Sequence, residues 1–366
     1  MRILVTANAA VGHFTPLAPT VRALMDAGHD VLVGVPASFA ETVDKTGFTV
    51  AACVERPVDS SVPDPPSRAE REQRLVWAVT QSWPNVARSW VDALLDRARE
   101  WRPDVVIVEP VEHAGRIVAA ALGVPLVEHG WGFTLPAGLD DEGTNTLRDV
   151  YARFGAIPTP PARRVDLGAS SLQAGDIPSV DRYRYQPWSY PGLPLPVPDG
   201  RPRVLVTLGT FDNPDAAERI RIVAEAADDA GAQVIAVLGN PDRRSATALP
   251  SGVVALDWTD MPEAIASCDL VTHHGGAGTA WSTLCAGRPA LVTPQAGDQF
   301  RNAALLTRAG AATTIQPDDL DKARVRAAID TLLTRPGPAQ AAAVIAAANA
   351  ALPGVDQLAA DIAALQ

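Results

Sequence analysis

Cysteine and long hydrophobic runs are scarce in this sequence. Its 366 residues include three cysteines, Cys53, Cys268 and Cys285, an odd number without the spacing of metal ligands. We therefore expect free, buried thiols in a reducing compartment, the cytoplasm, rather than a disulfide framework. No run of about 18 apolar residues is present, so no membrane span is predicted. The first residues, 1–6, have the pattern of a strand and not of a signal peptide.

Positive charge is also in short supply. Lysine and arginine total 31, against 42 aspartate and glutamate residues, which gives a formal net charge of −11. Such an acidic chain is a poor match for nucleic acid or an anionic membrane surface as its main partner. A small anionic ligand is still compatible, because backbone N–H groups and a few side chains can bind it locally.

Two domains are predicted from the length of the chain and its hydrophobic content of 47%. Strand and helix patterns alternate in both halves, which is typical of an α/β fold with Rossmann-like parallel sheets. A proline-rich stretch, 191–202, can form neither a helix nor a central strand. It predicts a linker between an N-terminal domain, 1–190, and a C-terminal domain, 203–350. The docking site of a final helix within 351–366 stays open.

The most informative segment, 272–279, has the sequence Thr-His-His-Gly-Gly-Ala-Gly-Thr. It follows an apolar run, 268–271, and precedes a helical pattern that stops at Gly287. Glycines at a strand-to-helix turn let backbone N–H groups approach an anion, and the helix dipole favours negative charge there. His273, just before the glycines, can add a hydrogen bond to a phosphate oxygen. The segment therefore predicts a cradle for a diphosphate and a nucleotide-linked substrate.

Three other turns of the C-terminal half follow predicted strands. Trp258 is a suitable face for stacking a nucleobase, although a tryptophan at a strand end more often belongs to the core. Thr210 ends a turn, 207–210, whose hydroxyls and N–H groups could meet phosphate. Asp298 and Gln299 pair an acceptor with a donor/acceptor group, which suits the diol edge of a sugar but also occurs in helix caps.

The first turn of the chain, 8–16, places His13 between a predicted strand and a predicted helix. It is not a dinucleotide fingerprint, because it has one glycine where three are needed. His13 either packs locally at the helix start or serves as a general base, since imidazole titrates near neutral pH. Glu109 follows another apolar strand at the same predicted sheet edge and can orient that ring, or instead cap the next helix. Glu112 and His113 are close competitors.

With these residues in view, the chain resembles the two-domain glycosyltransferases that decorate bacterial natural products. These are family 1 enzymes, including the antibiotic and macrolide deoxysugar transferases, and they have the GT-B fold of two Rossmann-like domains facing a central cleft. The resemblance covers nearly the whole chain and is most specific from Trp258 to Asn302. Its motifs lie at 12–17, 28–29, 103–110, 130–132, 207–210, 273–279 and 294–299.

The resemblance implies an inverting transfer, in which an acceptor hydroxyl attacks the anomeric carbon and a nucleoside diphosphate leaves from the opposite face. His13 matches the catalytic base, and Glu109 stands where the family usually has aspartate. Trp258 matches the residue that stacks on the base, and His273 the one that binds the diphosphate. The other donor-binding residues implied are Thr210, Gly275, Gly276, Gly278, Thr279, Asp298 and Gln299. No metal or other cofactor is implied, since the helix start and His273 take over charge neutralisation.

Two departures from the family pattern bear on the donor. A motif that often reads Trp-Val-Pro is here Trp258-Thr259-Asp260. Members that use a ribonucleotide often carry a glutamate for the ribose hydroxyls where this chain has Trp281, whose indole cannot accept such hydrogen bonds. This difference favours a dTDP-linked sugar over a UDP-linked sugar.

A small, largely apolar acceptor is expected, with a hydroxyl as the default target and an aromatic carbon or an amine left open. Candidate acceptor-binding residues are Phe14, Trp77, Glu112, Trp131 and Phe133. Two other functions stay open: a nucleotide-sugar epimerase, which needs no acceptor, and an auxiliary protein that binds a sugar nucleotide and activates a partner transferase. Fold alone does not decide between them, although a pure binder has no use for a base. A homodimer is also left open.

Overall fold

The computed structural model describes residues 1–67, 70–136, 138–173, 180–210, 215–239 and 248–365. Their contacts divide the chain into two compact units. The first unit comprises 1–168 and two later segments, 180–184 and 352–365, and the second comprises 169–173 and 185–351, within the described ranges. The proline-rich stretch 191–202 is therefore counted with the second unit, and the final helix with the first.

In the described part of the first unit, seven parallel strands form one sheet. They are β1 (Arg2–Thr6), β2 (Asp30–Pro36), β3 (Val50–Cys53), β4 (Val105–Val108), β5 (Leu126–His129), β6 (Arg163–Leu167) and β7 (Asp181–Tyr183). Their order across the sheet is β3-β2-β1-β4-β5-β6-β7. The order therefore reverses between β1 and β4, and ligands of open parallel sheets bind beyond the carboxyl ends of the strands at such a switch point.

Helices cover the sheet of the first unit. They are α1 (Val11–Phe14), α2 (Ala18–Asp26), α3 (Ala37–Asp44), α4 (Arg71–Trp77), α5 (Trp83–Trp101), α6 (Ala114–Leu122), α7 (Leu139–Asn145) and α8 (Arg148–Arg153). A π-helical turn, Ala78–Ser82, joins α4 to α5. All four residues of β4 are apolar and buried, as expected of a central strand with helices on both faces.

The second unit repeats this plan with six parallel strands among its described residues. They are β8 (Arg203–Thr207), β9 (Gln233–Val237), β10 (Val254–Leu256), β11 (Leu270–His273), β12 (Ala290–Val292) and β13 (Ala312–Thr314). Their order is β10-β9-β8-β11-β12-β13, with the reversal between β8 and β11. The helices are α9 (Ala216–Asp229), α10 (Met261–Ala266), α11 (Ala277–Cys285), α12 (Gln299–Arg308), α13 (Lys322–Thr334) and α14 (Pro336–Ala350).

The last helix, α15 (Val355–Ala363), packs on α2 and so joins the first unit. Its apolar face buries Leu358 and Ile362. The docking site that the sequence left open is thus the surface of α2. By length and composition alone, one described stretch, Pro336–Ala363, could cross a membrane. In the structure that stretch is two helices, α14 and α15, with a break at 351–354.

Candidate active site

His13 and Glu109 meet beyond the carboxyl ends of the neighbouring strands β1 and β4. The Nδ1 atom of His13 lies 2.8 Å from Glu109 Oε1. The Glu109 side chain is 1% exposed, whereas His13 keeps 18% of its side-chain surface exposed. Because a carboxylate only accepts hydrogen bonds, Nδ1 carries the ring proton and Nε2 carries the free lone pair. The pair thus has the arrangement of a base oriented by an acid, as the sequence predicted.

Two further groups hold the Glu109 carboxylate. The backbone N–H of Val111 donates to Oε2 at 2.8 Å, and the side-chain amide of Asn8 donates to Oε1 at 2.7 Å. Neither group was predicted from the sequence as part of the site. For Asn8, the only signal was its place in the turn after β1, the same turn that carries His13.

Two tryptophans flank the His13 ring. The ring of Trp83 is tilted by 53° with its centroid 4.7 Å away, and the ring of Trp131 stands edge-on at 4.9 Å. Trp131 was predicted and is fixed by its indole N–H, which donates to the Phe133 carbonyl at 2.9 Å. Trp83 was not predicted as a site residue. It follows the π-helical turn, a change of register that helical periodicity in the sequence does not show.

Glu112, predicted to bind the acceptor, is instead a cap of α6. Its carboxylate accepts hydrogen bonds from the N–H groups of Ala114, at 2.6 Å, and Gly115, at 2.9 Å, and from the Thr6 hydroxyl. The side chain is fully buried, and this burial raises its pKa to about 7. Both oxygens of this buried carboxyl are engaged within the fold, so the structure does not favour the predicted acceptor contact.

His113 is also buried, which lowers the pKa of its ring to about 3 with help from the nearby Arg116 guanidinium. It therefore does not compete with His13 as a base that titrates near neutral pH. Phe14 is fully buried and packs edge-to-face against Phe39 and Phe48 in the core, which gives it a structural role and does not favour the predicted acceptor contact. Trp77 is partly exposed on α4 and remains a candidate.

In the second unit, the sheet order gathers three of the predicted turns at one edge. His273 is in register with Thr207 on one side and with Val292 on the other. The turns that follow β8, β11 and β12 are therefore neighbours at the carboxyl ends of their strands. The predicted donor residues Thr210, Gly275, Gly276, Gly278, Thr279, Asp298 and Gln299 all lie in these turns or in the first turns of α11 and α12.

His273 presents a donor at this edge. Its Nδ1 atom accepts a hydrogen bond from the Gly275 N–H at 3.0 Å, so the ring proton is on Nε2. That Nε2 atom is buried and finds no hydrogen-bond partner among the residues that the structure describes. Burial, together with the adjacent His274, lowers the pKa of His273 to about 3. The ring is therefore neutral, with a fixed tautomer that offers one N–H.

The glycines are required here by close packing. A Cβ atom on Gly276 would lie 2.4 Å from His274 Nε2, and one on Gly209 would lie 2.5 Å from His274 Cε1. Gly275 has a φ of 90° and a Cβ there would lie 2.9 Å from the Gln299 carbonyl oxygen. Helix α11 starts directly after Gly276. Its first N–H groups lack partners within the helix and are available to an anion.

Asp298 and Gln299 are tied into the turn before α12. Gln299 Oε1 accepts hydrogen bonds from two backbone N–H groups, those of Gln295 at 2.9 Å and Ala296 at 3.1 Å. The side-chain oxygen of Gln299 is thus engaged within the turn, and its side-chain amide nitrogen is the atom that could donate to a sugar hydroxyl. Asn302, not predicted as a site residue, donates to the Asp298 carboxylate at 2.8 Å and to the Gly275 carbonyl at 2.9 Å. It links this turn to the glycine turn.

Trp258 lies at the edge strand β10, two strands away from β8. Its indole N–H donates to the Tyr190 carbonyl at 3.4 Å, and the ring remains partly exposed. Thr259 and Asp260, which depart from the family motif, both have structural roles. The Thr259 hydroxyl donates to the Leu193 carbonyl at 2.7 Å, and the Asp260 carboxylate caps the start of α10. These residues fasten the proline-rich stretch to the second unit.

Comparison with known proteins defines the class of this chain. The model for the N-terminal domain of erythromycin biosynthesis protein CIII-like proteins matches residues 22–182, and the model for their C-terminal domain matches 221–365. The L-demethylnoviosyl transferase of Streptomyces niveus is 34% identical, over 93% of this chain and 92% of that protein. The elloramycin glycosyltransferase ElmGT of Streptomyces olivaceus is 31% identical, over 98% of this chain and 96% of that one.

A solved structure agrees. The Streptomyces sp. SF2575 glycosyltransferase SsfS6, complexed with thymidine diphosphate, aligns with a TM-score of 0.86 and 26% identity, over 100% of this chain and 99% of that chain. The fold and the matched sequences define a GT-B glycosyltransferase of natural products, as predicted. The chain belongs to the erythromycin biosynthesis protein CIII-like family of antibiotic glycosyltransferases. The matches favour neither an epimerase nor an auxiliary binding protein.

Proposed function

We propose that this chain transfers a deoxysugar from a dTDP-linked donor to a hydroxyl of a small, largely apolar natural product, with inversion and without a metal. The observation that carries the proposal is the hydrogen bond between His13 Nδ1 and Glu109 Oε1. It leaves Nε2 as the basic atom and provides a negative charge beside the imidazolium that forms during the reaction.

In the proposed reaction, His13 Nε2 takes the proton of the acceptor hydroxyl while that oxygen attacks the anomeric carbon. The C–O bond to the diphosphate breaks on the opposite face, so the anomeric configuration inverts. Trp83 and Trp131, which flank His13, supply apolar surface for the acceptor and limit access of water to the base. This fits an acceptor with an apolar body and one reacting hydroxyl.

The glycine turn of the second unit is proposed to hold the diphosphate. The neutral His273 ring donates its Nε2–H to a phosphate oxygen, which removes the cost of an unpaired buried donor. The N–H groups and the dipole at the start of α11 add partial positive charge. These groups stabilise the leaving diphosphate electrostatically, so the proposal needs no cation at this point.

The choice of dTDP over UDP has two supports. SsfS6 and the spinosyn rhamnosyltransferase SpnG have both been solved with thymidine diphosphate, and one relative is a TDP-daunosamine transferase, DnrS of Streptomyces peucetius. In this chain Trp281 is buried and stacked on Tyr185, with ring centroids 5.7 Å apart. The position therefore offers no carboxylate to the hydroxyls of a ribose.

The names of the relatives refer to different sugars and different acceptors, so the proposal specifies only the class of each. A cytoplasmic location, where nucleotide sugars are made, is also proposed. It is supported by the three cysteines, which are all free, two of them buried.

The test uses purified protein with dTDP-α-D-glucose or dTDP-β-L-rhamnose and a panel of phenolic and macrolactone alcohols. We expect a glycoside whose anomeric configuration, read by NMR coupling constants, is opposite to that of the donor, with an unchanged rate in EDTA. UDP-α-D-glucose should be a poorer donor. Retention of configuration, loss of activity in EDTA, or conversion of the donor without acceptor would each contradict the proposal.

A further inference from the structure

Asn8, a buried residue in the turn after β1, binds the same carboxylate oxygen as His13. Its Nδ2 atom lies 2.7 Å from Glu109 Oε1 and 3.1 Å from the Val111 carbonyl oxygen. Because both of these atoms are acceptors, the amide nitrogen must face them and Oδ1 must point elsewhere. The direction of the Asn8 amide is therefore set by Glu109 and its loop.

The other end of the Asn8 amide is left unsatisfied. Its Oδ1 atom is buried and has no hydrogen-bond partner in the part of the chain that the structure describes. A buried acceptor without a partner destabilises the fold, so a residue with a purely structural part would not be expected to keep one. The arrangement indicates that the role of Asn8 is to hold the Glu109 carboxylate.

Glu109 needs such support because its side chain is flexible. A glutamate has one more rotatable bond than an aspartate, and its carboxylate can rotate broadly about the last bond. Val111 N–H holds Oε2 at 2.8 Å and Asn8 holds Oε1, and together they leave Oε1 2.8 Å from His13 Nδ1. Without Asn8, one of the two oxygens would be held only by the ring that it has to orient.

We propose that Asn8 is a positioning residue of the transfer reaction, which aims Glu109 at His13. The inference rests on the proposed function, in which His13 is the base. A fixed carboxylate keeps the proton on Nδ1, and so keeps Nε2 as the atom that meets the acceptor hydroxyl. Asn8 acts through Glu109 and His13 and does not itself touch the reacting atoms.

Two further ionisable groups face this loop. The Glu112 backbone N–H donates to the Glu109 carbonyl at 3.1 Å, and the buried Glu112 carboxyl is close enough for Glu109 to add to the rise in its pKa. The Arg116 guanidinium on α6 donates to the Pro110 carbonyl at 3.1 Å. Both groups are unchanged in the variants described next, so a difference from the wild type reports on position 8.

Two variants of nearly the same shape test the proposal. Asn8→Leu removes the amide and also the unpaired Oδ1 atom. We expect it to keep the melting temperature within a few degrees and the affinity for dTDP, measured by calorimetry, within twofold, while kcat falls about tenfold because the carboxylate is no longer aimed. A purely structural Asn8 predicts the reverse, a change in stability with kcat retained.

Asn8→Asp places a second carboxyl group beside Glu109. Because the new group faces two acceptors, it is protonated and its O–H donates to Glu109 Oε1 in place of the amide. The kcat of Asn8→Asp should therefore return to near the wild-type value, with the NMR titration midpoint of the His13 ring within about half a pH unit of the wild type. Asn8→Leu should lower that midpoint, because the carboxylate that stabilises the imidazolium is no longer held against the ring. Asn85→Asp is the matched control, because Asn85 is a buried asparagine of the same unit that pairs with the Asp59 backbone. It should leave the His13 midpoint in place.

An unchanged kcat in Asn8→Leu, or an Asn8→Asp variant that is as slow as Asn8→Leu, would overturn the inference. Failure of both variants to fold would overturn it as well, because Asn8 would then be a residue of the fold. The NMR titration of His13 can be carried out without an acceptor substrate. If the wild type shows no transfer but the midpoint moves as stated, the proposed function fails while the link between Asn8 and His13 stands.

Discussion

The two site histidines have opposite surroundings. His13 is partly exposed and bonded to a carboxylate, whereas His273 is buried beside another histidine, with its pKa lowered to about 3. A ring beside a carboxylate is suited to take up a proton, and a ring that stays neutral is suited to donate a hydrogen bond at a fixed place. The different surroundings of the two histidines therefore support the two different roles that we propose for them.

The role of His273 can be tested at this scale. His273→Ala removes one hydrogen bond to a charged group, worth about 1.5–3 kcal/mol, so the Kd for dTDP should rise roughly 10- to 100-fold. Because the ring stays neutral, the ratio of variant to wild-type Kd should be the same at pH 5.5 and pH 8. A ratio that grows at acid pH would show that an imidazolium binds instead. His29→Ala, in the first unit, is the control with unchanged affinity.

At the scale of elements, the turn before α11 is built around the His274 ring. Glycines from the turns after β8 and β11 pack against that ring so closely that neither position has room for a methyl group. The first turn of α11 and its N–H groups are held in place by this contact. The proposed phosphate cradle is therefore formed by two neighbouring turns and not by the glycine motif alone.

Gly276→Ala should disturb this turn. Its Cβ would lie 2.4 Å from His274 Nε2, so we expect a loss of about 1–3 kcal/mol in stability from overpacking and a weaker affinity for dTDP. Gly337→Ala in α14 is the matched control, since a Cβ there has nothing within 4 Å, and it should be neutral or slightly stabilising. Equal melting temperatures and dTDP affinities for the two variants would contradict the close packing.

The elements also show what the sequence could predict. Strands and helices alternate in both halves as predicted, and Gly287, where the predicted helix after the glycine turn stops, adopts the positive φ expected of a helix stop. These features are local in the sequence. Trp83 was missed because the π-helical turn before it changes the helical register. That turn packs against α4, α5 and α7, and this packing is not visible in the local sequence.

The missed site residues share one reason. Asn8 and Asn302 bind partners about 101 and 27 positions away, Glu109 Oε1 and the Gly275 carbonyl. No local pattern marks a residue whose partner is set by the order of strands in a sheet. Conversely, Phe14 and Glu112 were predicted to bind the acceptor although both are buried, because motif position does not reveal burial.

At the scale of the whole molecule, both units follow one plan. Each has a parallel sheet whose strand order reverses beside its first strand, and each has a histidine at that reversal, His13 in the turn after β1 and His273 as the last residue of β11. The His13–Glu109 pair belongs to the first unit and the proposed phosphate cradle to the second. The chemistry of each unit can therefore be tested by its own measurement, proton transfer for one and dTDP affinity for the other.

Acid should destabilise the molecule. The buried histidines have lowered pKa values, about 3 for His113, about 4 for His129 and about 3 for His273. Below pH 6.5 the unfolded chain therefore binds more protons than the folded chain, and the free energy of unfolding decreases as the pH is lowered. Glu112 and Asp166, with pKa values raised to about 7 and 6, oppose this between about pH 4 and 7.

Three histidines against two carboxyls leave a net uptake of about one proton on unfolding between pH 6 and 5. Stability should therefore decrease by about 1.4 kcal/mol per pH unit as the pH falls through that window. Urea unfolding followed by tryptophan fluorescence at a series of pH values measures this slope. A stability that rises from pH 6 to pH 5 would contradict the burial of these neutral rings.

The most direct measurement of the central claim compares the transfer rate and dTDP affinity of His13→Ala with those of the wild type. The His13 ring is hydrogen-bonded to Glu109, as expected of a base, and it lies in the unit that does not contain the proposed phosphate cradle. The account predicts that the rate falls by about 10² to 10⁴-fold while the calorimetric Kd for dTDP stays within twofold. Transfer that survives the substitution, or dTDP binding that is lost together with it, would contradict the account.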